Sequence, residues 1–295
     1  MIVDTVGSSD HLSLVAPLGV RFWDELAQAL VSDGLAVSAH LASDPAHRVQ
    51  AVLNTTSTFT FAHLPGMRSL ERGAGDDAYW VALSSSARRH CVVEVVDPRG
   101  RFQPCQFHAD VPTRGLFAWV CGSPGAAPRL SVPLFSAPGR AVPAAMAVVR
   151  AELWDPLINA PAAWAVLEAR PPGLNPVRGI ADAAGRVALI FAYPEPAGLP
   201  VVGSPGPTSG PPLTRQTWPV QLVGAYARQQ SVPAIPDLCA TLSQPPGTLW
   251  ADAARTQTLT TATLSFGQEL VVRSQDAPNR PLLPKLLITP AGSPL

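Results

Sequence analysis

The sequence is poor in charge and nearly free of lysine. Charged residues make up 14% of its 295 residues, the formal net charge is zero, and the only lysine is Lys285. Average soluble domains carry about 25% charged residues. A neutral chain of this kind has no electrostatic attraction to nucleic acid or to an anionic membrane, so neither is an expected partner. Low net charge also does little to oppose self-association, which favours a subunit of a larger assembly, including a homo-oligomer.

Membrane and export signals are also missing. No run of about 18 apolar residues occurs, so we predict no transmembrane helix and no membrane insertion. Residues 1–14 lack the basic and apolar stretches of a signal peptide. We therefore predict a cytoplasmic assembly, with release as part of an extracellular particle as the alternative.

The cysteines form no CxxC pair and no pattern with histidines, and they are Cys91, Cys105, Cys121 and Cys239. Thiols stay reduced in the predicted compartment. Cys91 and Cys105 flank a predicted hairpin. We interpret both as small apolar strand residues, with a disulfide between them as the open alternative.

Helical periodicity is scarce, and 33 prolines interrupt it further. Short apolar or alternating runs bounded by Gly, Pro, Asp and Asn dominate, and such runs predict strands. The predicted strands span residues 35–41, 58–64, 91–96, 163–168, 187–193, 219–226, 270–273 and 286–289. One short helix is predicted at residues 236–243, where Pro236 and Asp237 lie in the first turn. We discount a helix at residues 23–31, despite its good helix formers, because of an internal repeat.

The repeat begins at two related motifs, Phe22-Trp-Asp24 and Leu153-Trp-Asp155. After each motif come an alternating run, a turn, a further strand and a proline. Order and spacing agree although identity is low, which indicates an internal duplication.

The duplication predicts an all-β fold of two tandem related β-sandwich domains, with Pro/Gly-rich loops and little helix. The first domain is predicted at residues 1–140 and the second at residues 141–295. Residues 136–145, rich in Ala and Pro, are the predicted linker, and residues 197–217 are a predicted exposed loop.

Two turns of the same kind are predicted within the strands. They are Asp97-Pro-Arg-Gly100 and Asp182-Ala-Ala-Gly185. Each has Asp at the first position and Gly at the position that favours a left-handed backbone.

The second half carries a family resemblance in five segments, which are Val149-Arg-Ala-Glu-Leu-Trp-Asp155, Ala163-Trp-Ala-Val-Leu167, Gly179-Ile-Ala-Asp182, Gly185-Arg-Val187 and Phe191-Ala-Tyr-Pro194. These segments resemble the carboxypeptidase regulatory-like, or transthyretin-like, β-sandwich family. The resemblance implies a stability and interaction module that is appended to other proteins and has no catalytic residues.

Most of the chain is also similar to proteins found with contractile, phage-tail-like injection systems. The similar segments include Asp33-Gly-Leu35, His63-Leu-Pro-Gly-Met67, Val93-Glu-Val-Val-Asp97, Arg101-Phe102 and Leu286-Leu-Ile-Thr-Pro-Ala-Gly292. This resemblance implies a non-enzymatic structural subunit, such as a baseplate, cap or accessory component, that acts through contacts with other protein subunits.

No catalytic or cofactor motif is recognisable, because the chain has no P-loop, no GxGxxG and no GxSxG elbow. We predict no enzyme, no cofactor and no metal. The histidines have no metal-type spacing, and they are His11, His40, His47, His63, His90 and His108. If a metal site existed, His90 and His108 would be the first pair to test. Asp76-Asp77 is interpreted as a solvated loop, with an acid–base couple or weak calcium binding as the alternatives.

The seven tryptophans raise a second function, a carbohydrate- or cell-surface-binding β-sandwich, because exposed aromatic rings stack on sugars. They are Trp23, Trp80, Trp119, Trp154, Trp164, Trp218 and Trp250. Trp23 and Trp154 occupy equivalent repeat positions and are predicted to fill the cores. Trp119 and Trp250, beside loops, are predicted to be exposed and to contact a partner.

Overall fold

The computed structural model describes residues 15–73, 76–83, 88–121, 127–196, 212–276 and 282–292, and the fold is all-β. The strands of the first half are β1 Leu18–Val20, β2 Phe22–Asp24, β3 Ala29–Leu30, β4 Ala36–Leu41, β5 Asp44–Gln50, β6 Val52–Leu53, β7 Phe59–Phe61, β8 Arg89–Val96, β9 Cys105–Val111 and β10 Val132–Leu134. Those of the second half are β11 Met146–Asp155, β12 Ala160–Pro161, β13 Val166–Arg170, β14 Val177–Ile180, β15 Arg186–Ala192, β16 Thr217–Ala225, β17 Pro246–Trp250, β18 Thr261–Ser265, β19 Leu270–Val271 and β20 Leu286–Pro290.

Among the described residues, helix is confined to short segments, which are α1 Arg68–Glu71, α2 Asp77–Leu83, α3 Leu238–Leu242 and a 3₁₀ turn at Leu213–Arg215. The helix predicted at residues 236–243 is confirmed as α3. Its N-cap is Asp237, whose carboxylate accepts a hydrogen bond from the backbone N–H of Ala240 at 2.7 Å. None of the described helices is long and apolar enough to cross a bilayer.

The first half has one four-stranded sheet in the order β5-β4-β8-β9. Strands β1 and β2 follow each other along the chain, lie outside this sheet and contribute to the same hydrophobic core. β1 pairs with β7, and β2 pairs with β3 and, in parallel, with β10. Alternation along β9 buries Cys105, Phe107 and Ala109, so this face of the sheet contributes to the core.

The second half repeats the strand pairings of β1 and β2 within its long strand β11 and adds further strands. β13 lies between β14 and β16, while β11 pairs with β15, β12, β19 and β20. β17 joins β16 to β20, so the strands form one hydrogen-bonded sheet of ten strands. Along β16, the buried Trp218, Val220 and Leu222 alternate with exposed neighbours, which is the pattern of a strand with one face in the core.

Strand pairing recurs residue by residue between the halves, although the sequence offset between matched residues is larger for the parallel closing strand than for the other strands. The matching pairs are Leu18–Phe61 and Val149–Leu189, Trp23–Leu30 and Trp154–Pro161, and Phe22–Val132 and Leu153–Leu286. The turn after each tryptophan contains a left-handed residue at the same place, Gln28 with φ 51° and Asn159 with φ 49°. The β-sandwich plan is therefore present twice, with the same register.

Both predicted Asp-x-x-Gly turns are confirmed. The N–H of Gly100 donates to the carbonyl of Asp97, and the N–H of Gly185 donates to that of Asp182, each at 2.9 Å. The first half also has a counterpart of the Asp182 turn that the sequence did not reveal. There Asn54 takes the place of Asp182, and Ser57, with φ 56°, takes the place of Gly185.

Two hydrophobic clusters form the core, and their boundary does not coincide with the boundary between the two halves of the chain. One cluster contains only residues of the second half. The other contains the apolar residues of the first half together with Trp164, Val166, Ile180 and Leu238 from the second half. The halves therefore share a packed interface.

Polar contacts add to this shared interface. The N–H of Gln106 donates to the carbonyl of Pro236 at 2.9 Å, and the amide of Gln103 donates to the carbonyl of Ile180 at 3.2 Å. In the predicted linker, Arg140 binds Asp24 of the first half, and the carbonyl of Pro138 accepts from Arg150 of the second half. A domain boundary near residue 140 stays a prediction.

The loop predicted at residues 197–217 falls mostly outside the described residues, because residues 197–211 are not among them. Its described end contains the 3₁₀ turn Leu213–Arg215 and the first residue of β16.

Candidate binding surfaces

The buried carboxylates of the repeat motif are held by arginines. Asp155 is 0% exposed and accepts hydrogen bonds from Arg228 at 2.6 and 3.2 Å and from the N–H of Leu157 at 2.9 Å. Burial, and then the charge of Asp155, raise the pKa of Tyr226 to about 12. Asp155 therefore orders the turn after the motif, and its buried charge is balanced by the partly exposed Arg228.

Two further buried carboxylates, Asp97 and Glu168, are also engaged in ion pairs. Burial opposes ionisation of Asp97, but hydrogen bonds from Arg101 and from backbone N–H groups outweigh it and hold the pKa of Asp97 below its usual value. The same balance, with Arg178 and Arg170 as donors, lowers the pKa of Glu168. Groups with lowered pKa values are ionised at neutral pH and serve as acceptors within the fold.

Histidines lie on or beside the four-stranded sheet of the first half, and most face a carboxylate. His90 pairs with Asp110, and His108 lies 3.7 Å from Asp237. The cross-strand pairs His90–Asp110 and Val92–His108 place both histidines on one face of β8 and β9, as neighbours along the diagonal. Within the described residues, no group of three or more His, Cys, Asp or Glu side chains is arranged to hold a metal ion.

His40 differs from the other described histidines because it is buried and its Nδ1 has no hydrogen-bond partner. It lies on β4 opposite Val92. The predicted carboxylate couple Asp76-Asp77 lies at the start of α2, where the carboxylate of Asp76 accepts from the N–H of Tyr79 at 2.8 Å.

The cysteines give an arrangement that the sequence did not predict. Cys121 and Cys239 form a disulfide with Cα atoms 5.3 Å apart, which links a loop of the first half to α3. Cys91 and Cys105 are buried free thiols, so the alternative of a bond between them is wrong. Burial raises the pKa of the Cys91 thiol to about 11 and that of Cys105 to about 12, which leaves both as unreactive apolar groups.

Two predictions about tryptophan exposure are corrected. Trp119 is 7% exposed and belongs to the first core, and its backbone forms a bridge with Arg129. Trp23 and Trp154 are half-buried rather than core residues, because strand alternation directs their neighbours inward instead.

The other candidate contact residue, Trp250, is half-buried. Its indole N–H donates to the hydroxyl of Thr289 at 3.0 Å. All seven tryptophans lie in the described part of the chain, and each is buried or half-buried. The structure therefore presents no fully exposed indole platform for a sugar ring, and partner contact by Trp250 stays a prediction.

An exposed apolar tip is present at the turn between β11 and β12. Leu157 is 37% exposed and Ile158 is 51% exposed. The half-buried Trp154 lies at the base of this turn, and the ammonium group of Lys285 lies over its ring. The equivalent of Ile158 in the first half is the small Ala27, so the turn itself does not require a large aliphatic side chain.

An open groove of about 400 Å³ lies at the edge of the second sandwich. It forms where β18, which pairs with β16, turns at Gly267 toward β19, which pairs with β11. The groove is lined by Thr263, Ser265, Gln268, Glu269, Leu270, Val271, Arg273 and Leu282. The lining combines hydroxyl, amide, carboxylate, guanidinium and aliphatic groups.

Comparisons with known proteins give no family. No family model and no curated protein matches the sequence. Among solved structures, a "putative adhesin from Bacteroides ovatus ATCC 8483" aligns over 94% of both chains with 9% identity and a TM-score of 0.21. A likeness at this TM-score supports no conclusion about function.

Proposed function

We propose that this protein is a non-catalytic interaction module that acts as a structural subunit of a larger protein assembly. The observation that carries the proposal is the apolar tip of Leu157 and Ile158, together with the half-buried Trp154. An exposed aliphatic side chain that the fold does not require, such as Ile158, is typical of a contact site, where burial of apolar surface contributes about 25 cal/mol per Å². The assembly that the sequence resemblance implies is a contractile, phage-tail-like injection particle.

The disulfide is compatible with an assembly that is released from the cell. Disulfides persist in oxidising environments and are rare where thiols are kept reduced. We propose that Cys121 and Cys239 pair as the particle matures or leaves the cytoplasm, by exchange with a small-molecule disulfide, which takes up the two electrons and two protons and is released as two thiols. The predicted cytoplasmic location then applies to the assembly stage.

Co-sedimentation tests the proposed function. The tagged full chain is expressed in its native host, and large particles are pelleted by ultracentrifugation. The expected result is that the wild-type protein pellets with particle components and that Leu157→Ser/Ile158→Ser remains largely in the supernatant. Leu213→Ser, an exposed leucine distant in sequence from the tip, is the matched control and is expected to pellet normally.

Two results would contradict the proposal. One is a wild-type protein that stays entirely soluble and monomeric in its host. The other is a tip variant that is folded, as judged by far-ultraviolet circular dichroism, and still pellets like the wild type.

A further inference from the structure

The groove between β18 and β19 carries the guanidinium group of Arg273, which has no acidic partner among the described residues. Glu269 is paired with Arg150 at 3.0 Å, so its charge is balanced by the neighbouring strand. Arg273 also lines the groove, and within the described residues it forms no hydrogen bond or ion pair. The groove therefore has an excess of one positive charge in an otherwise neutral protein.

Neutral polar groups surround this charge on the β18 side. The hydroxyls of Thr263 and Ser265 and the amide of Gln268 line the groove. A hydroxyl both donates and accepts, and an amide offers two donors and an acceptor. These groups match the hydroxyls of a saccharide, each of which also donates and accepts.

An aliphatic wall lies on the opposite side. Val271 and Leu282 line the groove and are both exposed to solvent. Exposed aliphatic side chains next to fixed polar groups are the usual composition of small-ligand sites, and the groove volume lies within their range of about 300–1,000 Å³. The C–H faces of a sugar ring would cover this wall.

The turn that shapes the groove is anchored on both sides. The N–H of Gly267 donates to the hydroxyl of Tyr193 at 2.9 Å, and Tyr193 packs on the ring of Phe266. The Arg150–Glu269 pair fixes the next residues to β11. The polar groups are therefore held in place before a ligand arrives, which lowers the entropy cost of binding.

We propose that this groove binds an acidic saccharide, with Arg273 pairing with a sugar carboxylate. Guanidinium groups bind carboxylates through two parallel hydrogen bonds. An acidic peptide is less favoured, because the hydroxyl and amide side chains that line the groove match the hydroxyls of a saccharide. This site is distinct from the apolar tip and does not depend on the proposed protein contact.

Titration of the full chain with two disaccharides tests the site. The probes are digalacturonic acid and its neutral counterpart, digalactose, and binding is measured by calorimetry at low salt. We expect the acidic sugar to bind at least about tenfold more tightly than the neutral one, with the affinity falling as salt is added. Arg273→Gln is expected to remove this preference.

Arg215→Gln is the matched control, since Arg215 is exposed and lies outside the groove. This variant is expected to bind the acidic sugar like the wild type. The proposal is overturned by equal affinity for the two sugars, by no binding of the acidic sugar at millimolar concentration, or by an unchanged preference in Arg273→Gln. Tighter binding of a hexaglutamate peptide than of digalacturonic acid would also overturn it, in favour of a peptide site. None of these results bears on co-sedimentation, so the two proposals fail separately.

Discussion

Asp24 and Asp155 occupy the same position in the two halves and bind arginines from different parts of the chain. The carboxylate of Asp24 accepts from Arg140 at 2.5 and 3.0 Å, and that of Asp155 accepts from Arg228. Arg140 follows the last strand of the first half, whereas Arg228 follows β16. The repeat has kept the buried carboxylate and replaced its partner.

This shared role predicts that both aspartates stabilise the fold. Asp155→Asn and Asp24→Asn remove a buried negative charge and leave an arginine without its partner. We expect Asp24→Asn to lower the free energy of unfolding by about 3–5 kcal/mol, as for other broken buried pairs, because Arg140 is nearly buried. We expect a smaller loss of about 1–3 kcal/mol in Asp155→Asn, because Arg228 is partly exposed. Urea denaturation measures the loss. Glu195→Gln, a control at an exposed carboxylate, should change stability by less than about 0.5 kcal/mol, and a similarly small change in Asp155→Asn would refute the structural role.

Gly185 is predicted to be irreplaceable within its turn. It has φ 80°, and a Cβ at this position would lie 2.2 Å from the carbonyl oxygen of Leu153. A non-glycine residue in a left-handed conformation lowers the free energy of unfolding by about 1 kcal/mol. We expect Gly185→Ala to lower it by several times that amount, because the added Cβ also collides with the backbone. Gly100→Ala is the matched control, because Gly100 has φ 67° and no atom within 4 Å of the added Cβ. Equal loss of stability in the two variants would show that the close approach to Leu153 is unimportant.

The disulfide is predicted to stabilise the packed halves. Cys121 and Cys239 are separated by 118 residues, and closure of so long a loop restricts the unfolded chain strongly. We expect Cys121→Ser/Cys239→Ser to lower the free energy of unfolding by about 2–4 kcal/mol. Reductant should lower wild-type stability to the level of the variant and leave the variant unchanged.

Thiol labelling provides an independent check of the same bond. Without reductant, two thiols should react, Cys91 and Cys105, and only after unfolding, because both are buried with raised pKa values. Detection of four reactive thiols in the unfolded, unreduced protein would contradict the Cys121–Cys239 bond.

Acid is predicted to destabilise the protein through Asp97 and Glu168. Their folded-state pKa values are lowered, so they favour the folded state when ionised. This contribution is complete above the unfolded-state pKa values of about 4 and is lost as the pH falls through the folded-state values. Urea denaturation between about pH 5 and pH 3 should show decreasing stability. In Asp97→Asn the decrease should be shallower, and a slope identical to that of the wild type would argue against the Arg101 pair.

The all-β class, the Asp-x-x-Gly turns, the helix α3 and the repeated motif were predictable from the sequence. Each depends on local preferences, such as alternation, turn residues and a capping aspartate, which act over a few residues. The predicted strands next to these turns, residues 91–96 and 187–193, agree with β8 and β15 for this reason.

Tertiary structure alone decided the pairing of Cys121 with Cys239, the arginine partners of Asp24 and Asp155, and the burial of Trp119. The exposed fraction of a tryptophan beside a loop depends on which distant segment packs against its ring, and the local sequence pattern does not predict that segment. The groove that contains Arg273 also depends on tertiary structure, because one wall comes from β18, which pairs with β16, and the other from β19, which pairs with β11. Contacts between residues far apart in sequence are set by how the sheets pack, and this chain carries no spacing motif that would reveal them.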